Sequence, residues 1–195
     1  MNIEQPARLH YEFEKTGSYE EGFDDDVYLD IVEINEDGTR NATLDFFTEE
    51  KKQKVAPSNV TNITGNPVIG IYLQGDVYEM SRLTEGGWKY FHKMIKLAIA
   101  DNNESEPVTI VLDGDEYQGE KITLYPFERI PKKSRLREFS DKRYEFIMSE
   151  EIPGKLYQIS TVINDAENPS VPLLEEKLTL INVEFSSEIV AKKVN

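Results

Sequence analysis

The sequence has no cysteine, only two histidines and one tryptophan, and few basic residues for its length. The absence of cysteine excludes disulfides, thiolate metal sites and cysteine nucleophiles. The 195 residues include 37 aspartates and glutamates but 22 lysines and arginines, so the formal net charge is −15. A surface this acidic repels phosphate, which argues against a nucleic-acid partner. No apolar run reaches the roughly 18–20 residues that cross a bilayer, so no membrane span is predicted.

The chain does contain enough apolar and aromatic residues to build a core. Hydrophobic residues make up 38% of the sequence and aromatic residues 10%, which is too many for a disordered acidic chain. A length of 195 residues predicts a single domain over residues 1–195. The acidic residues are concentrated at the start, because residues 1–50 hold 15 acidic and 3 basic side chains.

The N-terminal residues bear on the compartment. No basic segment followed by an apolar one precedes the first predicted strand, so we find no signal peptide in the sequence as given. Two interpretations are open. The protein is cytoplasmic and starts at Met1, or it is exported and its signal peptide has been removed.

Most of the chain shows the period-two alternation of apolar and polar residues that predicts half-buried strands. An Asp37-Gly38 pair supplies a tight turn between two of them. The stretch 51–65 is predicted to be a surface loop, because it is polar and contains Pro57. The predicted strands are in residues 8–14, 27–31, 42–46, 108–112, 122–124, 144–148, 156–163 and 174–185. This pattern indicates an antiparallel sheet of about seven to nine strands.

Residues 67–100 show helical spacing instead. Asn66 and Pro67 are typical of an N-cap and a first helical position. Gly86-Gly87 divides the region into two amphipathic helices. The first helix carries Ile69, Leu73, Val77 and Met80 on one face, and the second carries Trp88, Phe91, His92, Ile95, Ala98 and Ile99. We therefore predict an α+β fold in which a helical hairpin packs on the concave face of a curved sheet.

Two groups of side chains on or near this hairpin are candidate binding residues. Its aromatic and other large apolar residues either fill the core or line a cavity for a hydrophobic ligand; the candidates are Tyr72, Met80, Trp88, Phe91 and Ile95. Basic residues on the second helix and in a later loop could hold an anionic group: Lys93, Lys96, Arg135 and Arg137. The alternative for these four is a solvated surface that offsets nearby acids.

The sequence has only weak motifs for a catalytic or metal-binding site. His10 and His92 could each serve a hydrolase, with Ser81 or Ser134 as nucleophile, but no Gly-x-Ser-x-Gly turn surrounds either serine. The acidic segments 24–26 and 113–116 lack the ligand spacing of a twelve-residue calcium loop. We therefore assign no catalytic residue, no metal and no cofactor.

Several short sequence motifs resemble those of an uncharacterised family of exported proteobacterial proteins. They are Gly65-Asn66-Pro67, Met80-Ser81-Arg82, Gly86-Gly87-x-x-Tyr90-Phe91, Pro153-Gly154-x-Leu156-Tyr157 and Leu174-Glu175-Glu176-x-Leu178. The resemblance covers most of residues 8–181, and Trp88 departs from the small or polar residue of the family. It implies export to the periplasm but no activity. The predicted architecture is also similar to the periplasmic lipoprotein-carrier (LolA-like) fold, whose members bind acyl chains between sheet and helices.

These observations predict an exported, non-catalytic protein that binds a hydrophobic small molecule or a protein partner between sheet and helices. Two alternatives stay open. One is a hydrolase that uses His10 or His92. The other is a structural or assembly protein that uses its acidic N-terminal sheet as an interface.

Overall fold

The structure, a computed structural model, describes residues 1–48, 58–102, 104–128, 136–165 and 171–186. Nine strands in these ranges form one antiparallel sheet. They are β1 (Ala7–Thr16), β2 (Phe23–Ile34), β3 (Arg40–Phe46), β4 (Ser58–Ile63), β5 (Glu106–Leu112), β6 (Asp115–Leu124), β7 (Arg143–Met148), β8 (Leu156–Asn164) and β9 (Pro172–Phe185). Helices α1 (Pro67–Thr84) and α2 (Trp88–Asp101) lie between β4 and β5, and a 3₁₀ helix at Arg137–Asp141 precedes β7. The predicted α+β class, antiparallel sheet and helical hairpin are confirmed.

The first and last strands pair at the centre of the sheet. The strand order is β4-β3-β2-β1-β9-β8-β7-β6-β5, so β1 and β9 join the two halves of the chain. The register aligns Phe13, Leu178, Ile159 and Phe146 across four strands. All four side chains are buried, whereas Glu12 and other alternate residues are exposed. One face of the sheet is therefore apolar and covered, and the other faces solvent.

The helical hairpin covers the apolar face. Helix α1 buries Val68, Val77 and Met80, among others, and α2 buries Phe91 and Ile95. The ring of Phe91 packs edge-to-face on Phe127, with 5.7 Å between the ring centroids. In the described part of the chain, no helix is long and apolar enough to cross a membrane.

The sheet is strongly curved at its β5 end. The Tyr157 hydroxyl on β8 donates to the carbonyl of Val111 on β5 at 3.4 Å, although β7 and β6 lie between these strands. In a flat sheet the two strands would be about 14 Å apart, which is three strand spacings. A bulge between Ile147 and Met148 lies in the same region, and bulges increase local bend and twist. The placement of the helices on the concave side stays a prediction.

Two local predictions differ from the structure. Within the stretch 51–65, residues 58–63 form the edge strand β4 on β3; residues 51–57 lie outside the described ranges. This strand is polar and mostly exposed, so it lacks the apolar alternation that identifies a half-buried strand.

Trp88 and Ile99, predicted on the buried face of α2, are 38% and 45% exposed, because the buried stripe of α2 is narrow and centred on Phe91 and Ile95.

Asn66 anchors the start of α1, and its loss should cost about 2 kcal/mol of unfolding free energy. Its Oδ1 accepts from the Val68 backbone N–H at 3.1 Å, and its Nδ2 donates to the Tyr11 hydroxyl at 2.9 Å and the Gly154 carbonyl at 3.1 Å. Asn66→Ala removes all three bonds, which urea denaturation would measure. The control Asn59→Ala removes one exposed hydrogen bond from β4, and we expect it to cost about 0.5 kcal/mol. Equal costs for the two variants would contradict the anchoring role.

Candidate functional site

A pocket of about 890 Å³ lies between α1 and the covered face of the sheet. Residues of β1, β2, β3, α1, β9 and the connections after β1 and β3 line it. Tyr78 and Arg82 belong to this lining and are largely exposed, so the pocket opens to solvent. Its size is typical of small-molecule sites.

One side of the pocket is an aromatic wall, made of Phe13, Phe23, Phe46 and Phe47. The Phe47 ring lies 4.9 Å from Phe13 and 5.6 Å from Phe23, both in edge-to-face geometry. Phe47 follows β3 with a φ of 63°, a left-handed conformation that is unusual for a bulky residue. Such strain is typical of functional positions, where the surrounding structure holds the backbone in place.

The inner end of the pocket contains a carboxylate cluster, made of Asp76, Glu79 and Glu176. Their nearest carboxylate oxygens lie within 4.8 Å of one another. Asp76 and Glu79 are three residues apart on α1 and so lie on one face of the helix. Glu176 belongs to β9 and points to the same side of the sheet as Leu178. The fold therefore brings acids from a helix and a central strand to one point.

Two buried lysines neutralise part of this charge. The Lys142 ammonium contacts Asp76, whose other oxygen accepts from the Tyr144 hydroxyl at 2.6 Å. The Lys15 ammonium contacts Glu79 and lies 3.5 Å from Glu176. Burial alone lowers the pKa of each lysine, but the surrounding carboxylates outweigh it and raise both pKa values. Both lysines therefore stay charged.

A third ion pair lies at the mouth of the pocket. Arg82 donates to both carboxylate oxygens of Glu20, at 2.7 and 2.9 Å. This hydrogen bonding lowers the pKa of Glu20 to about 2, against the opposing effect of burial. Lys15 lies 3.2 Å from Glu20, which links the mouth of the pocket to the carboxylate cluster.

Glu176 has a strongly raised pKa. Burial raises the pKa of Glu176 to about 8, and the negative charges of Glu79 and Asp76 add to the rise, while Lys142 and Lys15 oppose it. The side chain is therefore mostly protonated at neutral pH. A strongly shifted acid in a pocket is typical of functional sites.

Three buried polar atoms of the pocket lining have no hydrogen-bond partner within the described residues. They are the Tyr72 hydroxyl, Gln74 Nε2 and Glu79 Oε2. Tyr72 is only 4% exposed. Burial raises the pKa of Tyr72 well above its usual value, with the charges of Glu176 and Asp76 adding to it, so the hydroxyl keeps its proton. Buried polar groups are normally satisfied by protein, water or ligand, so these atoms indicate where a polar group can bind.

The carboxylate cluster also has the oxygen donors that a hard cation prefers. Asp76 and Glu79 already contact lysine ammonium groups, which supply the positive charge there. The arrangement is therefore an ion-pair network, not an open metal site. Of the calcium candidates, Asp113 and Gly114 form the β5–β6 turn, with φ values of 54° and 88°.

Of the five residues predicted to bind a hydrophobic ligand, Tyr72 alone is part of the pocket lining. Met80, Phe91 and Ile95 belong to the buried core, and Trp88 packs against Tyr78 with 5.8 Å between ring centroids. The pocket is thus built from Tyr72 and the aromatic wall, and no sequence pattern singled out that wall.

The predicted anion-binding residues are only partly described. Lys93 and Lys96 are exposed on α2. Arg135 and the side chain of Arg137 lie outside the described part of the chain. Whether the two basic groups meet stays a prediction.

The histidines lie away from the pocket. His10 Nε2 is 2.7 Å from Asp26 Oδ1, and its ring stacks on Tyr28 on the uncovered face of the sheet. His92 is half-buried on α2. The Ser81 hydroxyl donates to the Gly86 carbonyl at 2.6 Å, and Ser134 lies outside the described residues. The hydrolase alternative therefore depends on the His10–Asp26 pair. For the structural or assembly alternative, the acidic outer face of β1 and β2 stays the predicted interface.

Comparison with known proteins finds distant structural neighbours. No protein-family model and no curated protein match the chain. The Mycobacterium tuberculosis lipoprotein LppX is a structural neighbour at 13% identity and a TM-score of 0.34, over 88% of this chain and 83% of LppX. A LolA superfamily protein from Nitrosomonas europaea matches at 8% identity and a TM-score of 0.24, over 98% and 92% of the two chains. The predicted LolA-like likeness thus has structural neighbours, but TM-scores this low carry no functional argument. The proteobacterial family and export stay predictions.

Proposed function

We propose that the protein is a non-catalytic binding protein that takes an amphipathic small molecule into the pocket between α1 and the sheet. The apolar part of the ligand packs against the aromatic wall, and its polar part meets the carboxylate cluster. The observation that carries this proposal is the pocket itself. It measures about 890 Å³, with four phenylalanines on one side and, at its inner end, buried polar atoms that have no hydrogen-bond partner among the described residues.

The energetics of the pocket support a binding role. Buried ion pairs often stabilise a protein less than well-packed apolar residues of similar size would. This pocket nevertheless holds Lys15, Asp76 and Glu176, each less than a tenth exposed. A core selected for stability alone would place apolar side chains there. Keeping charges in that position fits a site that recognises a polar group.

The pocket can be blocked from α1 without disturbing the core. Gly75 lines the pocket, and a Cβ built on it meets nothing within 4 Å. We expect Gly75→Leu to weaken binding of the neutral probe N-phenyl-1-naphthylamine at least tenfold, because the new side chain occupies space at the pocket. Leucine favours a helix over glycine by about 0.8 kcal/mol, so the fold is preserved. Fluorescence titration of the probe measures the effect.

Gly70 provides the matched control. It lies on the same helix with equally open space but does not line the pocket. Gly70→Leu should leave probe affinity within about twofold of the wild type. If the wild-type protein does not bind the probe, or if both variants weaken binding equally, the pocket is not the binding site.

A further inference from the structure

The charges at the inner end of the pocket and at its mouth do not balance. Among the described residues, five acidic side chains lie there: Glu20, Glu21, Asp76, Glu79 and Glu176, of which Glu176 is mostly protonated at neutral pH. The cationic groups in the same described part of the chain number three: Lys15 and Arg82 in the lining, and Lys142 in contact with Asp76. The region thus has more acidic than basic groups, in a place partly removed from water.

We propose that this end of the pocket accepts a cation, so that the ligand is an amphiphile with an ammonium head group and an apolar tail. The proposal rests on the proposed function and names the chemical class of its ligand. The head group lies against Glu79, Glu176 and Tyr72. The tail lies along the aromatic wall.

Two of the three unpartnered atoms match the hydrogen bonds of an ammonium group, whereas Gln74 Nε2 is itself a donor and needs an acceptor from elsewhere. An ammonium has three donors and no acceptor, so it needs oxygen acceptors around it. Among the described residues, no donor meets hydrogen-bond geometry with Glu79 Oε2 or with the Tyr72 hydroxyl, and both oxygens can accept. The Glu176 carboxyl lies beside Glu79, within the 4.8 Å span of the cluster. Hydrogen bonds from a cation to a carboxylate are about twice as strong as neutral ones.

Other head groups fit the site less well. An anionic head group would face the excess carboxylates, and the two buried lysines already contact Asp76 and Glu79. A neutral hydroxyl could satisfy one or two of the unpartnered atoms but would leave the charge imbalance. The electrostatics therefore rank cation above neutral group and neutral group above anion.

Three probes with one tail and different charges test this ranking. Decylamine, 1-decanol and decanoate are titrated by calorimetry into the full chain at pH 7 and low salt, each at micromolar concentration. We expect decylamine to bind at least tenfold more tightly than 1-decanol, and decanoate to bind most weakly. Because all three share a tail, the aromatic wall contributes equally to each.

Two variants test which side chains cause the preference for decylamine. Glu176→Gln keeps the shape of the side chain but cannot ionise when a cation binds beside it, so decylamine affinity should fall about tenfold while 1-decanol affinity stays within about twofold. Tyr72→Phe removes one of the candidate acceptors and should lower the affinity for decylamine about threefold. The control Glu12→Gln removes an exposed acid from the outer face of β1 and should change neither affinity.

The outcomes separate the two proposals. Equal binding of decylamine and 1-decanol, or preference for decanoate, overturns the cationic head group but leaves an amphiphile-binding pocket. A loss of decylamine affinity as large in Glu12→Gln as in Glu176→Gln also overturns it, because the effect would then come from net charge. If neither the decyl compounds nor N-phenyl-1-naphthylamine bind, the proposed function itself fails.

Discussion

Lys142→Met should lower the free energy of unfolding by about 3–5 kcal/mol, the usual cost of breaking a buried ion pair from one side. The side chains of Lys142 and Asp76 are each 1% exposed, and the ammonium contacts the carboxylate directly. Methionine leaves Asp76 buried with the Tyr144 hydroxyl as its remaining strong partner. Guanidinium denaturation at pH 7, followed by far-UV circular dichroism, measures the change.

Two further variants distinguish the effect of burial on the stability of an ion pair from the effect of its charges alone. Arg8 and Asp30 form an ion pair on the outer face of the sheet, with side chains 47% and 30% exposed, so Arg8→Met should cost at most about 1 kcal/mol. The double variant Asp76→Leu/Lys142→Met removes both buried charges and should recover at least about 2 kcal/mol relative to Lys142→Met. If Arg8→Met and Lys142→Met lower the free energy of unfolding by similar amounts, or if the double variant recovers none of the loss, the buried ion pair is not the cause of the effect.

The helical hairpin was predictable because its signals are local. Asn66 and Pro67 mark the start of α1. The helix ends at Thr84, just before Gly86-Gly87, and Gly87 is the N-cap of α2. Spacings of three and four residues place Val77 and Met80 on the buried face. Each of these signals depends on side chains within one or two helical turns, so a single sequence contains them.

The sheet order and β4 could not be predicted in the same way. The central pairing of β1 with β9 joins Phe13 to Leu178, and no local pattern specifies which distant strand a strand will meet. Edge strand β4 has mostly polar, exposed side chains and is held by backbone pairing with β3. Its sequence is therefore hard to distinguish from that of a loop.

The site was mostly missed because it is assembled from distant parts of the chain. The carboxylate cluster and its lysines join β1, α1, the residue just before β7, and β9, so spacing in the sequence carries no information about their contact. One signal was available. Lys15 follows Leu9, Tyr11 and Phe13 at the inward positions of β1, and Glu176 lies between Leu174 and Leu178 on β9. A charged residue at an inward position of an otherwise apolar strand indicates a buried polar site.

Replacing that glutamate should stabilise the protein. Glu176 has a pKa of about 8 in the folded state against an ordinary value of 4.5. Between these pH values the unfolded chain has lost the proton that the folded chain keeps, so stability falls as pH rises from about 4.5 to about 8. Glutamine has no proton to lose. Glu176→Gln should therefore raise the free energy of unfolding by about 3 kcal/mol at pH 7, since each pKa unit is worth about 1.4 kcal/mol.

The pH profile distinguishes this cause from simple repacking. The gain from Glu176→Gln should be largest at pH 8 and disappear at about pH 4, where the glutamate is protonated in both states. Denaturation at several pH values tests this, with Glu12→Gln on the exposed face as a control that should show little change at any pH. A gain of the same size at pH 4 and pH 8 would assign the effect to packing instead. A gain with this pH profile would fit the proposed cation site, because functional positions often keep side chains that lower stability.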